Sequence, residues 1–293
     1  MPTPVTEIEA ETGLSKEVVR KWESRYGFPR PLRDANGERL YPDEQIADLK
    51  LIRRLIDAGM RPSKVVGLEH DALRGLTEVV SLRPESTEDS FIADALAALK
   101  KHDLEQLQQM LRQRLGAKGL LDFVQDDIAH LNVAVGEYWL RGELRVFEEH
   151  IYAEIVQDLL RQIDAMMLSD ASGPMILLTT PPGELHTFGI TMARIVLKLE
   201  GARCVSLGGQ TPVPEICEAA ASLGAAAVAI SASIAHPNRK IVAFLKELAR
   251  DLRPETAIWI GGMGAARLPP VPRVTATLTF DAARRALSEI PRK

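Results

Sequence analysis

Glu184-Leu185-His186-Thr187-Phe188-Gly189 sets a carboxylate two residues before an imidazole, a short loop after the apolar run Met175-Ile176-Leu177-Leu178-Thr179. The run reads as a buried strand and Ile190 to Leu199 as the helix that follows. His186 is thereby placed outside the carboxyl end of a parallel strand, where open α/β sheets bind ligands. A carboxylate that accepts from one ring nitrogen prepares the other to bind a metal. The same pair is also what a loop histidine satisfied by a neighbouring acid would look like. A second apolar run, Ala225 to Ile230, ends in Ser231-Ala232-Ser233, and a third, Ala257 to Ile260, ends in Gly261-Gly262. All three motifs therefore fall on one rim of the sheet. Serines there can donate to a ligand nitrogen, and paired glycines let a bulky group lie against the backbone. Taken one at a time, a strand-to-loop turn and a cap on the helix near Pro237 account for the same residues.

Taken jointly, the spacing resembles the cobalamin-binding domain, whose pattern runs Asp-x-His-x-x-Gly, Ser-x-Leu, Gly-Gly. Forty-one residues lie between Gly189 and Ser231, and twenty-seven between Ser233 and Gly261. The resemblance implies that His186 is the lower axial cobalt ligand, displacing the cofactor's own benzimidazole. It also implies that Ser231 and Gly261-Gly262 line the slot for the displaced tail, with Gly189 closing the histidine motif. Two positions depart from the pattern. Glu184 stands for the Asp and keeps the carboxylate on a longer arm. Ser233 stands for the Leu, with the expected loss of an apolar contact in the tail pocket.

Upstream, residues 91–167 carry helical periodicity with almost no strand signal. Phe91 to Lys101, Asp103 to Leu115, Leu120 to Leu140 and Val146 to Leu168 are expected as four helices with short connections, hence a four-helix bundle. Trp139 and, nine residues on, Glu149-His150 stand near one another along this stretch. An indole can shield a flat macrocycle, and a Glu/His pair can hydrogen-bond a ribose or a purine. Each is also an ordinary bundle-end or surface residue. The spacing resembles the bundle motif of the CarH and LitR photoreceptor group, which implies that Trp139, Glu149 and His150 face the upper ligand of adenosylcobalamin. Members of that group can carry a His after the motif Trp; here Leu140 stands there and cannot coordinate cobalt.

The amino-terminal segment reads as Val5 to Thr12, a Gly13-Leu14 turn, and Ser15 to Tyr26 with Ser15 as cap. Leu14, Val18, Val19 and Trp22 make one side apolar, Trp22 being expected in the core. From Lys16 to Arg39, Lys16, Arg20, Lys21, Arg25, Arg30, Arg33 and Arg39 outnumber Glu17, Glu23, Asp34 and Glu38. This local excess is the footprint of a phosphate-binding surface, or of a solvated basic face. Trp22-Glu23-Ser24-Arg25-Tyr26-Gly27, followed by Arg39-Leu40-Tyr41, resembles the winged helix-turn-helix of the MerR family. The resemblance implies that Lys16, Glu17 and Arg20 approach base edges and that Arg25, Arg39 and Tyr41 contact phosphates. It further implies a homo-oligomer, dimer or tetramer, on a double-stranded operator.

The last segment alternates strand and helix from Met175 to Ile290, giving a parallel sheet with helices on both faces and the flavodoxin-like, Rossmann-like order 2-1-3-4-5. The expected division is a reader over 1–75, a linker over 76–90 containing the polar stretch Ser81–Ser90, a bundle over 91–168 and an α/β domain over 169–293. A hydrophobic fraction of 46%, a charged fraction of 26% and a net charge of −4 describe an ordinary water-soluble chain. No apolar stretch approaches the ~20 residues that span a bilayer, and the first residues lack a signal peptide. Cys204 and Cys217 read as small apolar residues of a reducing compartment, the cytoplasm. The function expected is a cobalamin-dependent transcriptional regulator, a repressor responding to adenosylcobalamin and to light, and not an enzyme. Two alternatives stand beside it: a degenerate cofactor site controlled by a protein partner, and a corrinoid methyl-transfer protein, which would have no use for the basic reader.

Overall fold

The computed structural model describes residues 2–34, 37–57, 60, 62–81, 90–167 and 172–291; most of the expected linker, residues 82–89, and the break at 168–171 lie outside them. The chain divides into two compact units, Met1–Glu88 with Ala134–Val146, and Asp89–Val133 with Phe147–Lys293.

In the first unit, β1 (Thr3–Pro4) leads to α1 (Ile8–Thr12) and α2 (Lys16–Tyr26), then β2 (Leu32–Arg33), β3 (Arg39–Tyr41), α3 (Asp43–Asp57), α4 (Pro62–Val65) and α5 (His70–Ser81). Ser15 caps α2 as expected, its side chain accepting from the Val18 N–H at 3.4 Å. The first helix, however, does not begin at Val5. Thr3–Pro4 pairs antiparallel with Leu40–Tyr41, and the Val5 N–H is donated to the Arg39 carbonyl, so helical bonding waits until Ile8. Pro4 lacks an N–H, which suits this edge position. Ile8, Leu14, Val19, Trp22, Tyr41, Leu49 and Ile52 make the core, with Trp22 where its apolar spacing put it.

The second unit opens with α6 (Ser90–Lys100), α7 (Leu104–Lys118) and α8 (Leu120–Asp122); α9 (Ala129–Arg141), which contains the boundary between units, and α10 (Val146–Met166) follow. The single helix expected from Leu120 to Leu140 is interrupted by a π-helical turn at Phe123–Ile128. Within it, buried Asp127 pairs with Arg114 at 3.1 Å and Lys118 at 2.9 Å on α7. A π turn widens the helix only locally, so apolar periodicity does not reveal it.

The α/β portion comprises β4 (Met175–Thr179), α11 (Phe188–Leu199), β5 (Arg203–Ser206), α12 (Val213–Leu223), β6 (Ala227–Ser231), α13 (Asn238–Asp251), β7 (Ala257–Gly261), β8 (Val274–Ala276) and α14 (Phe280–Ser288). The five strands are parallel in the order β5-β4-β6-β7-β8, the expected 2-1-3-4-5. Leu177, Val228 and Ile258 pack beneath α12 and α13 on one face; Ile176, Leu178 and Trp259 pack beneath α11 and α14 on the other. Burial on both faces explains why β4 reads as an uninterrupted apolar run. β8 stops short of Phe280 because Thr279 caps α14, accepting from the Ala282 N–H at 3.1 Å.

The bundle is fastened to the α/β portion where Asp164 on α10 receives Arg194 and, at 2.8 Å, Lys198 from α11. The Lys198 side chain is only 7% exposed, so removing the carboxylate strands a buried cation. Asp164→Ala is expected to cost about 3 kcal/mol in urea unfolding of the ligand-free protein. A loss below about 1 kcal/mol would mean the cluster behaves as a solvated surface pair.

Candidate functional site

β4 ends in Thr179-Thr180, both buried, and the loop that follows carries Glu184 and His186. Gly183, with φ +84, makes a turn that an L side chain adopts only under strain. Glu184 is 2% exposed and takes four hydrogen bonds. Its Oε1 accepts from the His186 backbone N–H at 2.9 Å and from His186 Nδ1 at 2.6 Å. Its Oε2 accepts from the Ser233 backbone N–H and hydroxyl, each at 2.8 Å. Burial alone would raise this carboxyl, but the donors from His186 and Ser233 outweigh it and bring it down to about 2. Ionised, Glu184 is acceptor-only, so Nδ1 of His186 carries the proton of their shared hydrogen bond and Nε2 is the ring nitrogen that a metal would take.

The loop is also held from behind. Thr180 Oγ1 donates to the Glu184 carbonyl at 2.9 Å and accepts from the Gln210 N–H at 2.9 Å. Thr179 Oγ1 donates to the Gly208 carbonyl at 2.8 Å. Gln157 on α10 donates through Nε2 to Thr187 Oγ1 at 2.9 Å, which ties the residue after the histidine to the bundle.

The small residues of the motif serve close approach between backbones. A methyl group at Gly189 would collide with Ser231 Oγ, and one at Gly262 (φ +86) with the Ala232 carbonyl. Ser231 ends β6 opposite Gly261 on β7. Ser233 does more than replace an apolar side chain: its hydroxyl donates to Glu184.

Glu149 and His150 begin α10, His150 Nε2 lying 3.5 Å from Glu149 Oε2. Burial raises the Glu149 carboxyl above its ordinary range, opposed by the nearby His150 and His186 rings. Glu149 is thus within electrostatic reach of His186. Beneath it, buried Tyr152 donates to Asn132 Oδ1 at 2.5 Å. Trp139 lies half-buried on the part of α9 that belongs to the first unit.

In the reader, Lys16, Glu17, Arg20, Lys21 and Arg25 all lie exposed on α2, opposite buried Val19 and Trp22. Arg39 pairs with Glu23 at 3.1 Å. Tyr41 corrects an expectation. It is fully buried and donates its hydroxyl to Glu23 Oε1 at 2.6 Å, with burial and that carboxylate both raising its pKa. It is a core residue that orients Glu23, not a surface group waiting for a phosphate.

Residues 4–72 match the family described as MerR HTH family regulatory protein, and residues 92–163 and 174–271 match two families described as B12 binding domain. The chain is 29% identical over 265 residues to the HTH-type transcriptional repressor CarH of Myxococcus xanthus, covering 88% of each. It is 27% identical over 269 residues to the repressor CarA of the same organism, covering 90% of this chain and 88% of that one. The chain thus carries a MerR-type helix-turn-helix domain followed by two segments that match B12 binding domains. The Methanosarcina barkeri monomethylamine corrinoid protein shares the fold, with a TM-score of 0.52 at 15% identity, covering 67% of this chain and 96% of that one. Among the described residues no helix is long and apolar enough to cross a membrane.

Whether this particular B12-binding domain fits a corrinoid turns on its own atoms. His186 has its Nδ1 pinned by an ionised carboxylate, the arrangement that orients a metal-binding imidazole. His236, in the loop after β6, has a buried Nε2 without a hydrogen-bond partner. Both fit a polar ligand carrying a metal centre. The hydrogen bonds by which Thr179, Thr180 and Gln157 hold the His186 loop and its neighbour were not indicated by sequence spacing. Two polar residues closing an otherwise apolar strand were the one available signal for the threonine pair.

Two outcomes test these placements. Because Glu184 is depressed to about 2, its contribution to stability is complete above the ordinary carboxylate value near 4.5 and is lost as pH falls through about 2. The unfolding free-energy gap between wild type and Glu184→Gln should therefore be flat above that value and shrink towards pH 2; a gap that grows on acidification overturns the assignment. For the MerR domain, Tyr41→Phe should cost about 1 kcal/mol of stability while leaving operator affinity within about twofold.

Proposed function

We propose that this chain is a repressor whose hold on its operator depends on adenosylcobalamin bound through His186. The carrying observation is the chain Ser233–Glu184–His186, which fixes the imidazole with Nδ1 protonated and Nε2 basic. Its similarity to CarH and CarA over most of the chain supports repression as the output.

Bound there, the cofactor supplies a cobalt–carbon bond that visible light can break. The chain's own residues do the rest. His186 would hold the cobalt, Ser231 and Gly261-Gly262 would receive the nucleotide tail, and Trp139, Glu149 and His150 would meet the adenosyl group. Their engagement orders the bundle, favours a larger homo-oligomer, and raises DNA avidity by pairing reader domains. Lys16, Glu17 and Arg20 read bases, while Arg25 and Arg39 meet phosphates. Leu140 itself offers no nitrogen to cobalt, so release would follow from lost contacts with the adenosyl group.

The test combines absorbance, size-exclusion chromatography and gel shift on an operator selected from random duplex DNA. Loaded in darkness, wild type should assemble and bind; after green light it should dissociate into smaller species and release. Binding that persists after illumination but needs the cofactor assigns the switch to occupancy alone. His186→Ala should lose both the histidine-ligated spectrum and the cofactor dependence of DNA binding. Arg20→Ala should weaken operator binding roughly tenfold and leave the spectrum unchanged.

A further inference from the structure

His236 lies outside the motif residues, five positions after Ser231, in the loop between β6 and α13. It is 5% exposed. The ring packs beside Gly183 and hydrogen-bonds that residue's backbone. Gly183 immediately precedes Glu184, so His236 abuts the turn that presents the axial histidine. Since Nε2 is the nitrogen left without a partner, we assign to Nδ1 the ring proton that the Gly183 backbone favours.

Burial, with Lys240 and His186 nearby, keeps this ring neutral against the opposing pull of Glu184. A neutral ring that donates through Nδ1 has an acceptor at Nε2. A buried acceptor with no donor is costly, and native proteins rarely carry that cost without a reason. The nearest acid cannot relieve it. Glu184 is itself acceptor-only and already receives four hydrogen bonds.

We propose that His236 Nε2 accepts a hydrogen bond from a neutral N–H or O–H of the bound corrinoid, making His236 a recognition residue for the cofactor. This rests on the cobalamin reading above. Two groups on the cofactor have the required chemistry: a primary carboxamide on the rim of the macrocycle and the ribose hydroxyl of the nucleotide tail. A phosphate oxygen, which can only accept, does not.

The experiment titrates wild type, His236→Phe and His236→Gln with adenosylcobalamin and with adenosylcobinamide, which keeps the ring carboxamides and the adenosyl group but lacks the nucleotide tail and its ribose. Tryptophan fluorescence gives Kd, and circular dichroism checks the fold. Gln keeps one donor and one acceptor; Phe keeps the ring and neither. Phe is expected to weaken binding roughly tenfold, with Gln staying within about threefold. Weakening towards both corrinoids assigns the carboxamide; weakening towards adenosylcobalamin alone assigns the ribose hydroxyl. Equal binding by Phe and wild type overturns the proposal while leaving the cobalamin reading intact, as does equal weakening by Phe and Gln, which marks packing. Wild type that binds neither corrinoid overturns both. Should Phe fail to fold, imidazole nitrogen-15 spectra of wild type decide instead. The His236 Nε2 resonance must move upfield on binding, and an unmoved resonance overturns the proposal.

Discussion

A single buried carboxylate organises the ligand rim. Glu184 is covered by protein, ionised, and saturated by four donors from two segments that are far apart in sequence. Charge-assisted hydrogen bonds of this kind are about twice as strong as neutral ones, and in a dry setting an unpaired carboxylate is the costly alternative. The loop after β4 and the loop after β6 are therefore held in one register by an electrostatic requirement, not by apolar packing. The imidazole orientation follows from that register. Thr180 secures the same loop through the Glu184 carbonyl, so side chain and backbone of one residue are both committed.

The bundle contributes a second constraint on the same loop. Gln157 reaches Thr187, and two turns earlier on α10 the Glu149 carboxyl is close enough to sense the His186 ring. Asp164 then anchors the far end of α10 to α11. α10 is thus fixed to the α/β portion at its end and linked to the histidine loop midway, while its first turn carries Glu149 and His150. A helix clamped in this way transmits displacement at its free end poorly to its anchored end.

Periodicity and turn chemistry made most of the fold legible. Two-sided burial turned β4, β6 and β7 into apolar runs, and Gly and Pro marked the loops between them, so the sheet order could be read from the alternation alone. The features that escaped were those set by partners distant in sequence. β1 forms because β3 has an open edge, and the π turn accompanies a buried Asp127 that answers two cations on α7. At the site, residue spacing set Glu184, His186 and Ser231 on one rim of the sheet, but did not indicate that Ser233 donates to Glu184 or that Tyr41 is buried against Glu23. Both are polar groups whose value depends on which acid they meet, and that is a tertiary fact.

The two departures from the cobalamin-binding pattern gain a common explanation from this geometry. Glutamate in place of aspartate carries its carboxylate one methylene farther from the backbone, and the extended arm reaches the loop after β6. Serine in place of leucine supplies that arm with a hydroxyl, and its N–H adds a second donor to the same oxygen. Either change alone would leave a defect. A long carboxylate facing leucine would lack its hydroxyl donor, and a serine facing a short one would lack its acceptor. Read singly, Ser233 looked like erosion of a binding pocket and favoured a degenerate site. Read as one half of a pair, it restores the second-neighbour support that a metal-binding imidazole needs, and the degenerate reading loses this support.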